Sequence, residues 1–317
     1  MPKVIQKLLE RADIQVNGDR PWDLQVNDER FWKRVLLYGN IGLGEAYMDG
    51  WWDCRAIDEF IYRLLKVVSS RQRRPWRVVV PGALRGVLFN LQSLARAFQV
   101  GEHHYDIGNE LYRSMLGENM VYSCAWWQGG ATTLEEAQLA KLDLVCRKLG
   151  LQAGMRVLDI GCGWGSFCLY AARHYGVKCV GLTISREQVH HAHAHLEGLP
   201  VEIRLEDYRK CTGTFDRIVS IGMFEHVGPK NYRIFMDVAR RCLTEDGLFL
   251  LHTIGSNQTS WPVQSWYTRH IFPNGHIPSI AQIARAVEPR FVVEDLHNFG
   301  SDYALTLMAW YHNFNQA

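Results

Sequence analysis

A chain of 317 residues has room for one large domain, or for a catalytic domain with a smaller companion. With 47% hydrophobic and 21% charged residues it reads as a soluble globular protein, and a formal net charge of +2 is too small to imply nucleic acid. No apolar run approaches membrane-spanning length, and the early charges Lys3, Lys7, Glu10 and Arg11 argue against a signal peptide. Eight scattered cysteines without a Cys-x-x-Cys pair read as reduced thiols of a cytosolic protein, with neither disulfides nor zinc.

Residues 1–100 read as a separate helical and irregular module, and 101–317 as the catalytic domain. Between Phe60 and Gly101 there is no acid, while Arg63, Lys66, Arg71, Arg73, Arg74, Arg77, Arg85 and Arg96 give that stretch a charge of +8. From Leu84 the residues Val87, Leu88, Leu91, Leu94 and Phe98 recur at helical spacing. Two readings stand: a helix packed on the catalytic domain, or a basic amphipathic surface meeting anionic lipid.

Beyond it, strand and helix patterns alternate. Strands are predicted at 156–160, 178–183, 201–205, 216–221, 247–253 and 291–296. Helices are predicted at 134–149, 166–175, 186–196, 231–242 and 279–287. This alternation predicts an α/β fold, a doubly wound, mostly parallel sheet covered on both faces. Ligands of such sheets bind at the carboxyl ends of the strands, where Asp159, Thr183, Asp207, Glu225 and His252 fall.

The most informative stretch is Val157-Leu-Asp-Ile-Gly-Cys-Gly-Trp-Gly-Ser-Phe167. A buried strand ends at Asp159, and Gly161, Gly163 and Gly165 follow at alternate positions, where side chains would keep a ligand from the backbone. The amides of the following helix favour a negatively charged group. Ser166 stands where a dinucleotide fingerprint needs glycine. An acid beside Gly-x-Gly-x-Gly suits a ligand with both an ammonium and a carboxylate, such as the methionine part of S-adenosylmethionine; a nucleotide and a plain structural turn are the alternatives. The second strand ends Val-Gly-Leu-Thr-Ile-Ser without an acid for the ribose, which leaves Thr183 or Gln188. The third ends Leu205-Glu206-Asp207-Tyr208, offering an acceptor for an adenine amino group and a ring to stack on it. His190, His191, His193 and His195 read as a solvated helix face rather than a zinc or nickel site, so no metal is expected.

Four further clusters are hard to explain as packing: Tyr122-Ser-Cys124-Ala-Trp126-Trp127, Met223-Phe224-Glu225-His226-Val-Gly-Pro-Lys-Asn, Leu251-His252-Thr-Ile254-Gly, and His297-Asn-Phe-Gly-Ser-Asp-Tyr303. With Glu102-His-His-Tyr-Asp-Ile-Gly-Asn109 and the glycine turn, they closely resemble the cyclopropane-fatty-acyl-phospholipid synthase family, from about residue 5 to 314. The resemblance implies the class I S-adenosylmethionine-dependent methyltransferase fold, Rossmann-like, with a small N-terminal domain. It also implies chemistry on unsaturated phospholipid acyl chains at the inner face of the membrane, and a homodimer.

The substrate would be an unactivated cis double bond, so alignment and exclusion of water come first. Methyl transfer would leave a carbocation, for which Tyr122, Phe224, Trp266, Tyr267, Phe272 and Tyr303 are candidate aromatic partners. The family's base is a bound bicarbonate ion, and its ligands carry over onto Cys124, Glu225, His252 and Tyr303 with the Ile254 backbone. A phenol and an imidazole can donate to the anion, and a carboxylate can accept its proton. The plain alternatives are a hydrogen-bonded core histidine at 252, a packing thiol at 124 and a structural carboxylate at 225. The resemblance also sets Tyr122, Ser123, Gly161, Gly163, Thr183, Ile184, Ser185, Gln188, Leu205 and Glu206 around the cofactor; Asp159, Cys162 and Asp207 complete that set.

Family members continue for several dozen residues past the position of Ala317, with a final strand normally inserted between the fifth and sixth. Without it, strand 247–253 is expected to have a bare edge and 291–296 to lose its partner. The expectation is a shortened synthase. A small-molecule amine methyltransferase on the same scaffold, and a non-catalytic remnant binding lipid and cofactor, are the alternatives.

Overall fold

The computed structural model describes residues 1–68, 109–196, 198–260, 265–273 and 275–317. The chain divides into two compact units, Met1–Phe89 with Pro262–Pro273, and Asn90–Trp261 with Asn274–Ala317. The boundary expected near residue 100, the helix expected from Leu84, most of the acid-free stretch and residues 102–108 of the Glu102–Asn109 motif lie outside the described residues.

In the first unit, α1 (Lys3–Arg11), α2 (Arg30–Tyr38), α3 (Asn40–Met48) and α4 (Ile57–Val68) surround a two-residue ladder of β1 (Gln25–Val26) and β2 (Trp52–Asp53). Leu9, Leu24, Phe31, Trp52 and Phe60 form its core. Trp52 is wrapped by the rings of Phe31, Tyr47 and Phe60, and its indole N–H donates to the Leu43 carbonyl at 2.9 Å. The buried carboxylate of Asp23 is satisfied by Arg20 and by the Gln15 amide. The one-turn helix Trp266–His270 packs its indole on Gly44 of α3.

The second unit opens with α5 (Asn109–Leu116) and α6 (Leu134–Lys148), the latter started by a capping box between Thr133 and Glu136. Five parallel strands follow: β3 (Arg156–Ile160), β4 (Lys178–Thr183), β5 (Val201–Leu205), β6 (Phe215–Ile221) and β7 (Leu243–His252), in spatial order β5-β4-β3-β6-β7. Helices α7 (Ser166–Tyr175), α8 (Arg186–His193) and α9 (Tyr232–Cys242) connect them, and α10 (Ile280–Val287) and α11 (Asp302–Gln316) follow. Apolar clusters cover both faces, one around Ile160, Phe224 and Phe235, the other around Val157, Phe167 and Val219. The chain runs outward through β3, β4 and β5 and returns to place β6 beside β3. That reversal opens a crevice at the carboxyl ends of β3 and β6.

The doubly wound α/β class and the first four predicted strands are found at or within a residue of their expected bounds, and the 247–253 strand starts earlier, at Leu243. Residues 291–296 form no strand. Phe291 packs on Phe249 with ring centroids 5.5 Å apart, but Val292, Val293 and Leu296 are 82%, 65% and 75% exposed. A β-branched run becomes a strand only where a neighbour takes its hydrogen bonds. Among the described residues β7 pairs with β6 alone and stands at the sheet edge.

Candidate active site

The glycine turn leaves β3 at Asp159. The amides of Gly161 and Cys162 both donate to the Leu182 carbonyl, which fixes the turn against β4. At Gly163, with φ of +56°, a Cβ would meet nothing within 4 Å, so the backbone there lies open to a ligand. A Cβ on Gly161 would fall 2.5 Å from the Met223 side chain, which brings the 223–226 turn against the glycine turn. The Cys162 side chain packs beneath the turn against Gly181, so only its backbone faces the open side.

Asp159 is 2% exposed. The Cys168 thiol donates to its Oδ2 at 3.7 Å, and Oδ1 has no partner. Burial pushes its carboxyl up to about 7, opposed in part by the thiol and by the Lys141 charge. An unpaired buried carboxylate at the mouth of a glycine turn is suited to a ligand ammonium.

The rim carries the remaining expected cofactor contacts. Thr183 Oγ1 donates to Gln188 Oε1 at 2.6 Å, and Ser185 caps α8 through the Gln188 amide. Ile184 is half-buried beside them, and Leu205 is exposed at the end of β5. The Glu206 amide donates to the Thr183 carbonyl at 2.9 Å. Two expectations change here. Asp207 was the expected adenine acceptor, but Arg209 holds it with a 2.6 Å bond to Oδ2 and a 2.8 Å bond to Oδ1. Tyr208, the expected stacking ring, is core: it is buried with its centroid 5.2 Å from Phe235.

The reacting half begins at the end of β6. Glu225 lies on a turn of 3-10 helix, buried behind Phe224, and the Ile254 amide donates to its Oε1 at 2.6 Å while Oε2 has no partner. Burial raises the Glu225 carboxyl above its ordinary value. The Ile254 N–H, an expected anion ligand, is thus held by Glu225. His252 ends β7; its carbonyl accepts from the Gly222 amide at 3.0 Å, its ring faces Phe299, and its buried Nδ1 has no partner. Burial, with the Lys141 cation, depresses the imidazole to about 3, so it is neutral. Burial likewise pushes the Cys124 thiol to about 11.

The 122–128 segment is fastened by α11. Asp302 accepts from the Trp127 amide at 2.7 Å and from Gln128 Nε2 at 3.1 Å, while Thr306 Oγ1 accepts from the Ala125 amide and the Trp127 indole, both at 3.1 Å. Tyr122 and Tyr303 both stack around Trp310, with Tyr112 and Trp164 completing an aromatic cluster. Phe224 is instead fully buried core, and Trp266, Tyr267 and Phe272 belong to the first unit. Among the described residues no cluster of histidine, cysteine and acidic side chains could hold a metal ion.

Sequence reasoning passed over Lys141, Asp302 and Thr306. Lys141 on α6 is 1% exposed and its Nζ donates to Ser123 Oγ at 2.9 Å. Burial lowers its ammonium to about 8, while Cys124 and Asp159 act to keep it charged.

Residues 92–317 match the family model described as mycolic acid cyclopropane synthetase. The chain is 52% identical over 313 residues to the cyclopropane-fatty-acyl-phospholipid synthase of Escherichia coli strain K12, covering 98% of this chain and 81% of that protein. It resembles the solved mycolic acid cyclopropane synthase CmaA1 complexed with SAH and CTAB, at 35% identity and a TM-score of 0.63, covering 68% of this chain and 82% of that one. A coclaurine N-methyltransferase bound to N-methylheliamine and SAH is 26% identical with a TM-score of 0.67, covering 82% and 79%. An open glycine turn headed by a buried acid, on a sheet shared with these methyltransferases, makes the chain an S-adenosylmethionine-dependent methyltransferase and a member of the mycolic acid cyclopropane synthetase family.

Proposed function

We propose that the chain transfers a methylene group from S-adenosylmethionine to the cis double bond of unsaturated phospholipid acyl chains, with bicarbonate as the bound base. The observation that carries this reading is that three of the buried polar atoms left without partners among the described residues fall at the carboxyl ends of adjacent strands: Asp159 Oδ1 on β3 beside the glycine turn, Glu225 Oε2 in the turn after β6, and His252 Nδ1 at the end of β7. Such atoms are costly to bury alone and mark places where a ligand completes the hydrogen bonding. The donor set fits a small oxyanion: a neutral imidazole and a carboxyl whose affinity for its proton is raised.

Bicarbonate, when bound, supplies a base small enough to reach a hydrogen of the newly added methyl. The chain's own residues divide the other tasks. Asp159 and the Gly163 backbone hold the donor's amino-acid part. Tyr122 and Tyr303 offer π faces to positive charge developing on the acyl chain. Glu225, fixed by the Ile254 amide, takes or holds a proton at Oε2, and His252 orients the oxyanion through its ring. The Cys124 thiol, neutral and donating to the Ala125 carbonyl at 3.4 Å, would have to turn from that carbonyl to donate to the anion, and it does not act as a nucleophile.

A lipid substrate and a membrane-surface location are supported by the apolar ends of two adjacent helices in the first unit. Leu36, Leu37 and Tyr38 at the end of α2 are exposed, as are Tyr47 and Met48 at the end of α3. No helix among the described residues is long and apolar enough to cross a membrane, which suits association at the surface. A cytoplasmic, membrane-peripheral homodimer is part of the proposal, as the family resemblance implies. Incubation with methyl-labelled donor and vesicles of unsaturated phospholipid tests it. Label in ring-bearing lipid is expected; labelled amine without lipid product would favour an amine methyltransferase, and neither product a non-catalytic remnant.

A further inference from the structure

Lys141 is a buried cation that the proposed mechanism does not use. Its ammonium has three N–H donors, and Ser123 Oγ at 2.9 Å is the one partner it has among the described residues. Ser123 itself packs against the turn that follows β6: a Cβ on Gly222 would stand 3.7 Å from the Ser123 Cβ, and the Gly222 amide holds the His252 carbonyl. Three steps therefore lead from the ammonium to His252: the bond to Ser123, the approach of Ser123 to Gly222, and the Gly222–His252 backbone bond. Cys124, Asp159 and His252 all lie within electrostatic reach of the Lys141 ammonium.

Burying a lone ammonium costs several kcal/mol even after relaxation, and an apolar side chain of similar volume usually packs more favourably. The cation would oppose the donor's sulfonium, since like charges in a dry site repel strongly. Its favourable partner is an anion, placed so that it screens Lys141 from the donor. Glu225 Oε2 and His252 Nδ1, both without partners, mark where such an ion would also find hydrogen bonds.

We propose that Lys141 is a positioning residue for the reaction: its ammonium, tethered to Ser123, supplies the positive potential that holds the small oxyanion used as base. This rests on the bicarbonate reading above.

The test uses the full chain with Lys141→Met and Lys141→Gln. Binding of ¹³C-labelled bicarbonate is followed by NMR in the presence of SAH, and SAH affinity by calorimetry. Ring formation on dioleoyl-phosphatidylglycerol vesicles is measured across bicarbonate concentrations. Both variants are expected to bind bicarbonate at least about tenfold more weakly, to bind SAH within about threefold of wild type, and to regain turnover at high bicarbonate; a factor of ten corresponds to about 1.4 kcal/mol. Unchanged bicarbonate affinity in either folded variant overturns the proposal. So does a loss confined to SAH, which would assign Lys141 to the donor's carboxylate. Should both variants misfold, the wild-type protein decides: nitrate, a planar monoanion, must compete with bicarbonate where neutral urea does not. Ring formation by wild type without bicarbonate binding would sink the base reading itself, and this inference with it. Equal binding by wild type and variants sinks this inference alone.

Discussion

Replacing Asp159 with asparagine should make the protein more stable and a worse binder of its methyl donor. The carboxyl is 2% exposed, and burial raises it from 3.8 to about 7. The folded chain therefore holds this proton more tightly than the unfolded chain does between about pH 4 and pH 7. Stability from this group is complete below that window, declines as pH rises through it, and levels off above about 7. At about 1.4 kcal/mol per pH unit, the upper bound on the loss is about 4 kcal/mol. An asparagine has no proton to lose, and its carbonyl can still accept from the Cys168 thiol. The Lys141 ammonium loses a favourable neighbour in the variant, which offsets part of the gain. The expected result in urea unfolding is a difference of at most about 1 kcal/mol at pH 4.5 and a variant more stable by roughly 2–4 kcal/mol at pH 8. Calorimetry with SAH should show at least about tenfold weaker binding, since a charged acceptor for the ligand ammonium is gone. A variant less stable than wild type at pH 8, or a difference that does not grow between the two pH values, would refute this assignment of charge.

Other substitutions separate the frame from the chemistry. Glu225→Gln keeps an oxygen for the Ile254 amide now bound at 2.6 Å, so SAH affinity should hold within about twofold while turnover falls about 10²–10⁴-fold, measured with labelled donor. Asp302→Ala strips the partly buried Trp127 amide and the Gln128 side chain of their acceptor; unfolding in urea should show a loss of about 2–3 kcal/mol. Lysine in place of Val292, Val293 or Leu296, one at a time, should leave stability within about 0.5 kcal/mol, because all three side chains stand in solvent. A larger loss would mean that this segment is packed.

The sheet was legible because its strands obey a local rule. Runs such as Arg156–Ile160 and Lys178–Thr183 are apolar without alternation, as strands buried on both faces must be, and turn residues close them. The capping box at Thr133 and Glu136 announces α6 in the same way. What escaped depends on partners distant in sequence. Lys141 lies in a run that reads as an ordinary helix, and only contact with Ser123, eighteen positions away, explains its burial. Asp302 and Thr306 acquire their roles from a segment about 175 residues earlier. Asp207 is different, since the competing partner was two residues along: Arg209 closes on it before any ligand could. Tyr208 shows the limit of reading a ring beside an acid as a stacking platform, because its ring is buried against Phe235 with the Arg209 guanidinium over it. The 291–296 segment has a strand's composition, but composition cannot supply the neighbouring strand that makes one.

These observations share a physical cause. On the proposed reading, a crevice that holds a sulfonium cofactor and a base without admitting water has to be built from polar groups that are buried before either ligand arrives. Asp159, Glu225 and His252 each leave an atom unsatisfied, and Lys141 has Ser123 as its one partner among the described residues. Each costs stability in the free protein. The rest of the unit must therefore be rigid enough to keep them from collapsing onto one another, and the frame answers in kind. The glycine turn is fixed to β4 through the Leu182 carbonyl, Glu225 to the Ile254 amide, and the 122–128 segment to the first turns of α11. Each clamp satisfies backbone donors or a single carboxylate oxygen and leaves the remaining polar atoms facing the crevice. Stability lost at the centre is what ligand binding recovers, which is why removing a charge there should strengthen the fold while weakening the function.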